Sequence, residues 1–375
     1  MAIFVFFAPN SRAQNLNSPT TNTIKLDEES FLSRSKFQGD WKLEIGAQSF
    51  EEDTDDEKLA TVALSVRPSY RLLENLTLKA DMKFKSESGR VQARFYQEGE
   101  NLMSLSNASL EYYPTSFIMI EGGILNQGFL EQELLFSKSR AFAGVKEALV
   151  LNKQNYKIYL TAQQSLPSSS SLNTERAEKE ETPSFTSQTL QAEFNTDSLK
   201  GIVGGSYFQF DNLPSKVAYE SIVNGNSVIE QGIANSYFEY NFKGYAFQTR
   251  LDWRLQDSLN IVGTLQLIEN SEAPAGNSRG QMAWLGPIIQ TGQLKWTFNY
   301  GQFFAEPDVA PAYYMNLNYG GANRIGKFGR FELEFSDYNF KIIAQYADSD
   351  VINLRTHQFQ RINYLVRLET LYVSF

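Results

Sequence analysis

The chain has 375 residues and a formal net charge of −9 at pH 7, and it contains no cysteine. A chain of this length could form two soluble domains or one large barrel. A helical membrane protein needs about 20 consecutive apolar residues for each span. The sequence contains no such run, so that class is excluded. The mean hydropathy of −0.36 is compatible with a transmembrane barrel, because only every second residue of its strands faces lipid.

Segments of about ten residues alternate apolar and polar side chains along most of the chain. Val62, Leu64 and Val66, for example, are separated by small or polar residues. This period of two predicts β-strands, and the apolar faces carry Trp, Tyr and Phe near the strand ends, as in membrane barrels. A soluble β-sandwich also alternates, but the Lys and Arg on the polar faces suit a water-filled lumen better. The sequence therefore predicts an all-β fold, a transmembrane antiparallel β-barrel over residues 37–375.

Loop lengths give the strand number, because such barrels alternate short periplasmic turns with long external loops. Seven short turns separate eight hairpins and thus predict 16 strands; the turns lie at 75, 114–115, 153–155, 196–198, 256–258, 291–293 and 337–339. The predicted external loops are 51–58, 97–101, 126–140, 164–184, 211–231, 269–280, 305–312 and 348–358. Segments 234–256 and 316–335 are long for one span and could hide a further hairpin, at 242–245 or 320–329. Eighteen strands is therefore the runner-up.

The N-terminal residues predict export. Residues 1–13 are typical of a signal peptide, with Ser11 and Ala13 at a cleavage site, although the short apolar core means that the true start could lie upstream. A buried first strand is the alternative. Residues 14–36 are polar and are expected to form a periplasmic tail or a small plug.

The C-terminal residues predict assembly in an outer membrane. Leu371, Val373 and Phe375 stand at alternate positions and resemble the signal by which bacterial outer-membrane barrels are recognised for assembly. Thr370 departs from that pattern, which usually has Gly there. The apolar face upstream has the opposite parity, so a bulge is expected near residues 369–370.

The third predicted external loop, residues 126–140, is too charged for a strand and too short for a domain. An insert of this kind can fold into a closed barrel and narrow the lumen. We therefore predict an infolded constriction loop, whose charged residues include Glu131, Glu133, Lys138 and Arg140.

Residues 122–137, GGILNQGFLEQELLFS, resemble the strand-to-third-loop region of bacterial porins, especially the phosphate-selective and polyphosphate porins. The resemblance is specific over residues 110–146 and only architectural elsewhere. It implies a 16-stranded barrel, an infolded third loop and usually a homotrimer. No equivalent of a lysine-lined external funnel is found, so phosphate selectivity does not carry over.

The inward faces of the predicted strands carry fourteen cations and eight carboxylates, although the chain is acidic overall. Closure places the last strand beside the first, and a basic pore wall is predicted from Lys42, Arg67, Arg71, Lys79, Lys83, Arg250, Arg254, Arg361 and Arg367. Like charges this close are tolerable only where water reaches them. The alternative is a plugged lumen filled by ion pairs, but sixteen strands leave an aqueous channel. Glu131 and Glu133 are expected to face this wall.

No catalytic or metal site is predicted. The single histidine, His357, lies in the last external loop with no acidic residue within four positions, which makes a hydrolase the weaker alternative. The acidic runs 51–57 and 175–181 lack calcium-loop spacing, although divalent ions could bridge them to lipopolysaccharide. No enzyme activity, cofactor or nucleic-acid partner is predicted.

The sequence thus predicts a channel of the Gram-negative bacterial outer membrane for passive diffusion of small hydrophilic solutes, with a mild anion preference. Expected partners are outer-membrane lipid and lipopolysaccharide, the barrel assembly machinery, and further copies of the chain in a trimer. A substrate-specific channel and a non-conducting structural barrel or anchor are the alternatives.

Overall fold

The computed structural model describes residues 36–52, 55–90, 101–127, 133–137, 140–167, 181–229, 232, 235–355 and 358–375. The predicted signal peptide (1–13) lies outside these residues, and so does the predicted tail (14–36) except for its last residue.

Within the described ranges, sixteen antiparallel strands form one closed barrel, as predicted. They are β1 (Phe37–Glu52), β2 (Asp55–Leu73), β3 (Leu76–Arg90), β4 (Asn101–Thr115), β5 (Ile118–Asn126), β6 (Ala141–Lys153), β7 (Tyr156–Leu166), β8 (Ser184–Asn195), β9 (Leu199–Asp211), β12 (Phe242–Gln256), β13 (Leu259–Asn270), β14 (Arg279–Thr291), β15 (Leu294–Ala305), β16 (Arg324–Phe335), β17 (Phe340–Val351) and β18 (Arg361–Thr370). Three strands of two residues complete the set: β10 (Val228–Ile229), β11 (Tyr237–Phe238) and β19 (Val373–Ser374). Strand β9 pairs with β12, and β18 pairs with β1 to close the barrel.

Side chains alternate between the lumen and the outer surface, because successive residues of a strand point to opposite faces. On β2, Ala63 and Ser65 are buried inside, whereas Val62 and Leu64 are 49% and 38% exposed on the outside. Exposed apolar side chains continue on the outer faces of the other barrel strands. A barrel surface in contact with lipid requires this arrangement.

The seven predicted short turns all fall on or beside observed connections between strands, and the barrel has 16 strands rather than the runner-up 18. Residues 242–245 begin β12, and no further hairpin forms there or at 320–329, both of which are described in full. The predicted loop 51–58 is wrong, because β1 continues to Glu52 and β2 starts at Asp55. Within this acidic run, Glu52 is stabilised by Arg324 and Arg361.

The expected bulge near residues 369–370 is present. Glu44 of β1 pairs with Glu369, but Trp41 pairs with Val373, so three steps along β1 match four along the C-terminal segment. The extra residue restores the apolar parity of the chain end.

Phe375 completes the seam between the two ends of the barrel. Its amide donates to the Gly39 carbonyl at 2.9 Å, and its ring packs over Gly39. A Cβ on Gly39 would lie 2.3 Å from the ring, so only glycine leaves the space that the ring occupies.

Among the described residues, three connections at the external end form structure of their own. One contains the loop after β5, the second contains helix α1 (Ser215–Ser221) and the hairpin of β10 and β11, and the third joins β15 to β16. The third, residues 306–323, is longer than the predicted loop 305–312. No helix among the described residues has the length and apolarity needed to cross a membrane.

Candidate functional site

The loop after β5 folds into the barrel, as the sequence predicted. Leu134, Leu135 and Phe136 are 2–4% exposed. The Phe136 ring lies 5.5 Å from that of Phe142 and 5.2 Å from that of Phe185, both on inward faces of the barrel. The apolar segment 134–136 therefore anchors the charged loop inside the barrel, because burial removes its apolar surface from water.

The same loop also contacts a strand that is well separated from its own hairpin around the barrel. The Glu133 amide donates to Gln266 on β13 at 3.1 Å, and its carboxylate accepts from Asn316 at 2.9 Å. Strands β7, β8, β9 and β12 separate β6 from β13, so the loop crosses the barrel. Glu133 was expected to face the basic wall. The wall residues Arg67, Lys79 and Lys83 lie on β2 and β3, on the opposite side of the barrel from β13, where the loop is bound.

Arg140 fastens the end of this loop. Its guanidinium donates to the Tyr313 carbonyl and lies 4.6 Å from the centre of the Tyr313 ring. Burial raises the pKa of the neighbouring Tyr314 well above its usual range, which keeps the phenol neutral. The two other predicted loop charges, Glu131 and Lys138, lie outside the described residues.

The connection 306–323 is held against the connection that contains α1. Buried Asp308 accepts hydrogen bonds from the Ser227 amide at 2.7 Å and its hydroxyl at 2.6 Å. Asn226 donates to the carbonyls of Pro307 and Ala310. Two long inserts thus satisfy each other's polar groups, as buried backbone requires.

These inserts enclose an apolar cluster near the external end of the lumen. Inward residues of the strands supply one half of the cluster: Phe142, Phe185, Phe208, Phe210, Phe242, Ile268, Met282, Phe303 and Phe328. The inserts supply the other half, including Leu134, Phe136, Val217, Val309, Tyr314 and Met315. The sequence did not predict this cluster, because its residues come from many strands and from inserts far apart in the chain.

Charged side chains line the lumen from β16 around to β6, mostly nearer the periplasmic end. Carboxylates alternate with cations: Arg330–Glu332 at 2.7 Å, Glu332–Lys341 at 3.5 Å, Lys341–Glu369 at 2.8 Å, Glu369–Lys42 at 3.3 Å, Lys42–Glu44 at 2.6 Å, and Glu44–Lys83 at 2.7 Å. Lys79–Glu111 and Lys146–Glu121 extend the series across β3–β6. We call this series, together with Arg67, Asp40 and Arg367, the ion-pair belt.

The predicted basic wall is therefore accompanied by carboxylates. Arg67 binds Asp40 through two nitrogens, at 2.7 and 3.0 Å, and its guanidinium lies 3.4 Å from the centre of the Tyr372 ring. Arg367 approaches Glu44 at 3.8 Å and Glu369 at 3.4 Å. Most of these partners are distant in sequence, so the spacing of the cations could not reveal them.

The remaining residues of the predicted wall are scattered. Arg361 lies near the external end and binds Glu52 at 2.7 Å. Arg71 and Arg250 are half-buried, and Arg254 is exposed near a turn. The structure thus brings Lys42, Arg67, Lys79, Lys83 and Arg367 into one belt, whereas Arg254 and Arg361 lie outside it.

Leu371, Val373 and Phe375, the predicted assembly signal, lie at the seam described above. No group of three or more potential metal ligands occurs among the described residues. His357 lies outside them.

No protein-family model matches the chain, and no curated protein matches it. Solved structures do resemble it. OprB of Pseudomonas putida has a TM-score of 0.57 and 9% identity, covering 90% of this chain and 94% of that one. A loop L8 deletion mutant of OmpT, an outer membrane protein of Vibrio cholerae, has a TM-score of 0.54 and 11% identity, covering 90% and 100%. The outer membrane channel DcaP of Acinetobacter baumannii has a TM-score of 0.50 and 10% identity, covering 90% and 99%.

At such low identity the likeness concerns the fold alone. The fold is that of a bacterial outer-membrane barrel. Together with the outward apolar face, it confirms the predicted location in the bacterial outer membrane.

Proposed function

We propose that the chain is an outer-membrane channel through which small hydrophilic solutes diffuse. The observation that carries the proposal is the ion-pair belt on the lumenal wall. Charged groups in a dry, filled interior would be costly, whereas a barrel of sixteen strands leaves room for water. Channel-forming barrels among the similar folds support the proposal at the level of architecture only.

A mild anion preference is part of the proposal. The belt contains eight cations, namely Lys42, Arg67, Lys79, Lys83, Lys146, Arg330, Lys341 and Arg367. It contains six paired carboxylates, namely Asp40, Glu44, Glu111, Glu121, Glu332 and Glu369. Asp81 lies near Lys42, Arg67 and Lys83 as well, so cations outnumber carboxylates by one. A small excess of positive charge favours anions weakly, and the preference falls as salt screens the wall over about 10 Å at 0.1 M.

Planar-bilayer recording tests this function directly. The purified protein should give single-channel steps, and under a KCl gradient the reversal potential should lie slightly on the anion side. Absence of any conductance from correctly folded protein would favour the non-conducting structural barrel instead.

A substrate-specific channel is the second candidate. The apolar cluster and the loop that crosses to β13 favour it, because they leave a narrower path than an empty barrel would. Such a channel would show a conductance block that saturates with one solute, whereas a general diffusion channel would show none.

A homotrimer is also proposed, with lipopolysaccharide at its rim and the barrel assembly machinery as the partner that inserts it. One OmpT structure with a TM-score of 0.51 and 11% identity is a trimer form, which is a property of that protein. The resemblance of residues 122–137 to phosphate-selective and polyphosphate porins supports the same assembly.

A further inference from the structure

Glu147 places a carboxylate on the outer surface of the barrel. On β6 the odd-numbered residues face outward: Val145 and Leu149 are 48% and 50% exposed, and Glu147 between them is exposed as well. The even-numbered residues face the lumen, where Lys146 pairs with Glu121. Glu147 therefore belongs to the face that meets lipid.

Glu147 lies midway along its strand. Glu147 is the central residue of β6, which runs from Ala141 to Lys153. Six residues at about 3.3 Å each, on a strand tilted by about 40°, place it roughly 15 Å from either end of the strand. The apolar band of such barrels is about 25 Å tall, so Glu147 lies well inside it.

No side chain on the described strands compensates this charge. Glu147 makes no hydrogen bond or ion pair with any described residue, and its cross-strand neighbours are Ile120 and Ala162. Outward charges elsewhere on the described strands lie close to strand ends, as Lys327 and Asp348 do, and those two pair at 3.8 Å. A carboxylate deep in hydrocarbon is unfavourable and marks a functional surface.

Several residues around Glu147 are small or carry an amide. Gly122, Ala143 and Ala162 are small, and Gln164 and Gln188 present exposed amides that make no side-chain hydrogen bond with described residues. We call these five residues and Glu147 the Glu147 patch. On the far side of the barrel the outer band also carries exposed amides, Gln281 and Gln302, among large apolar groups such as Leu285, 62% exposed, but no carboxylate midway along a described strand.

We propose that the Glu147 patch is an interface with a second copy of this chain. The patch carries its own complement, since the amides of Gln164 and Gln188 can donate to a carboxylate and the small residues let two barrels approach closely. Rotational symmetry sets parts of one surface against each other and keeps all copies at similar depth. This inference rests on the proposed outer-membrane oligomer and names the face that forms it, but it does not depend on conduction.

Cross-linking in intact outer membranes tests the position of the interface. The chain contains no cysteine, so Ala162→Cys introduces a single thiol into the patch, and Leu285→Cys is the matched control across the barrel. A short bifunctional maleimide should join Ala162→Cys chains into multiples of this chain and leave Leu285→Cys chains single. Cross-linking at neither position, at Leu285 alone, or from Ala162 to a different protein would overturn the proposal.

A second experiment tests the carboxylate itself. Glu147→Leu should weaken association of the purified chains by roughly tenfold, because it removes hydrogen bonds to a charged group. Glu147→Gln keeps a hydrogen-bonding side chain and should remain closer to the native protein. Both variants should migrate as folded barrels on unheated gels and keep the native single-channel conductance, which separates loss of the interface from loss of the channel. Unchanged or tighter association of Glu147→Leu would mean that the carboxylate contacts lipid only.

Discussion

The Arg67 guanidinium is held between the Asp40 carboxylate and the Tyr372 ring, and pairing with a carboxylate is typical of the belt. Its cations are positioned by carboxylates, and Lys42 also by the Tyr372 ring, rather than spread along an open basic wall. The field that a passing ion meets therefore depends on small differences between paired charges. Removing one member of a pair leaves the charge of the other member uncompensated.

Arg67→Ala should move the reversal potential toward cations, because Asp40 loses its partner. One unit of charge about 6 Å from a permeating ion changes its energy by about 0.7 kcal/mol in water, or about threefold in relative permeability. Lys83→Ala should act in the same direction through Glu44. The double variant Arg67→Ala/Asp40→Ala is the control and should return close to the native potential under a KCl gradient. A shift toward anions in the single variant would refute this view of the belt.

Asp308 gives the packed inserts a pH dependence. Burial raises its pKa, against the hydrogen bonds from Ser227 and the charge of Arg355, which lower it. An acid whose pKa is raised by folding binds more protons when folded, so its packing is most stable at low pH. Stability should then fall as the pH rises above about 4, the ordinary value of an aspartate.

The Ser227 amide, corrected for its intrinsic exchange rate, should therefore exchange faster with deuterium at neutral pH than near pH 4. Asp308→Asn keeps an acceptor but does not ionise, so this control should show a flatter profile. Protection that increases with pH in the native protein would contradict the assigned cause.

At the scale of elements, the loop after β5 and the two long connections form a second layer inside the barrel. Leu134 and Phe136 hold the crossing loop in the apolar cluster, and the connection 306–323 meets it through Asn316. The barrel thus has an apolar outer surface and an apolar interior cluster separated by its own backbone. The loop is held from within and can be released without opening the sheet.

The double variant Leu134→Ala/Phe136→Ala should raise single-channel conductance. Each truncation of a buried side chain costs about 2–5 kcal/mol, which should undock the loop from the lumen. Leu149→Ala and Phe247→Ala delete the same atoms from the exposed outer face and serve as controls. If the conductance of the double variant equals that of the controls, the loop does not limit ion flow.

The strands, the closure of the barrel and the infolded loop could be predicted from the sequence, whereas the partners of individual side chains could not. Alternation and short turns fix the strands because they depend on adjacent residues, and the bulge near 369–370 follows from a change of parity. The pairing of Lys42 with Glu369 and the packing of Tyr314 on Phe142 join residues far apart in the chain. Neither leaves a periodic signal, so the belt and the cluster emerged only from the structure.

At the scale of the whole molecule, closure depends on the seam between β1 and the C-terminal segment. Gly39→Val should weaken that seam, because the new side chain would collide with the Phe375 ring. We expect the compact form on unheated gels to be lost at a lower temperature. Gly329→Val is the matched control, since its Cβ would meet nothing within 4 Å. Equal heat resistance of the two variants would show that the Phe375 ring does not hold the barrel closed.

The seam also divides the assembly of the barrel into two stages, before and after closure. Until Phe375 reaches Gly39, the sheet is a ribbon with two free edges, and each edge offers unpaired amides and carbonyls to any passing strand. Once they meet, the ribbon becomes a cylinder and both edges vanish together. A chaperone or protease that binds strand edges can therefore distinguish unfinished from finished molecules without recognising any particular sequence, and its access ends at the moment of closure.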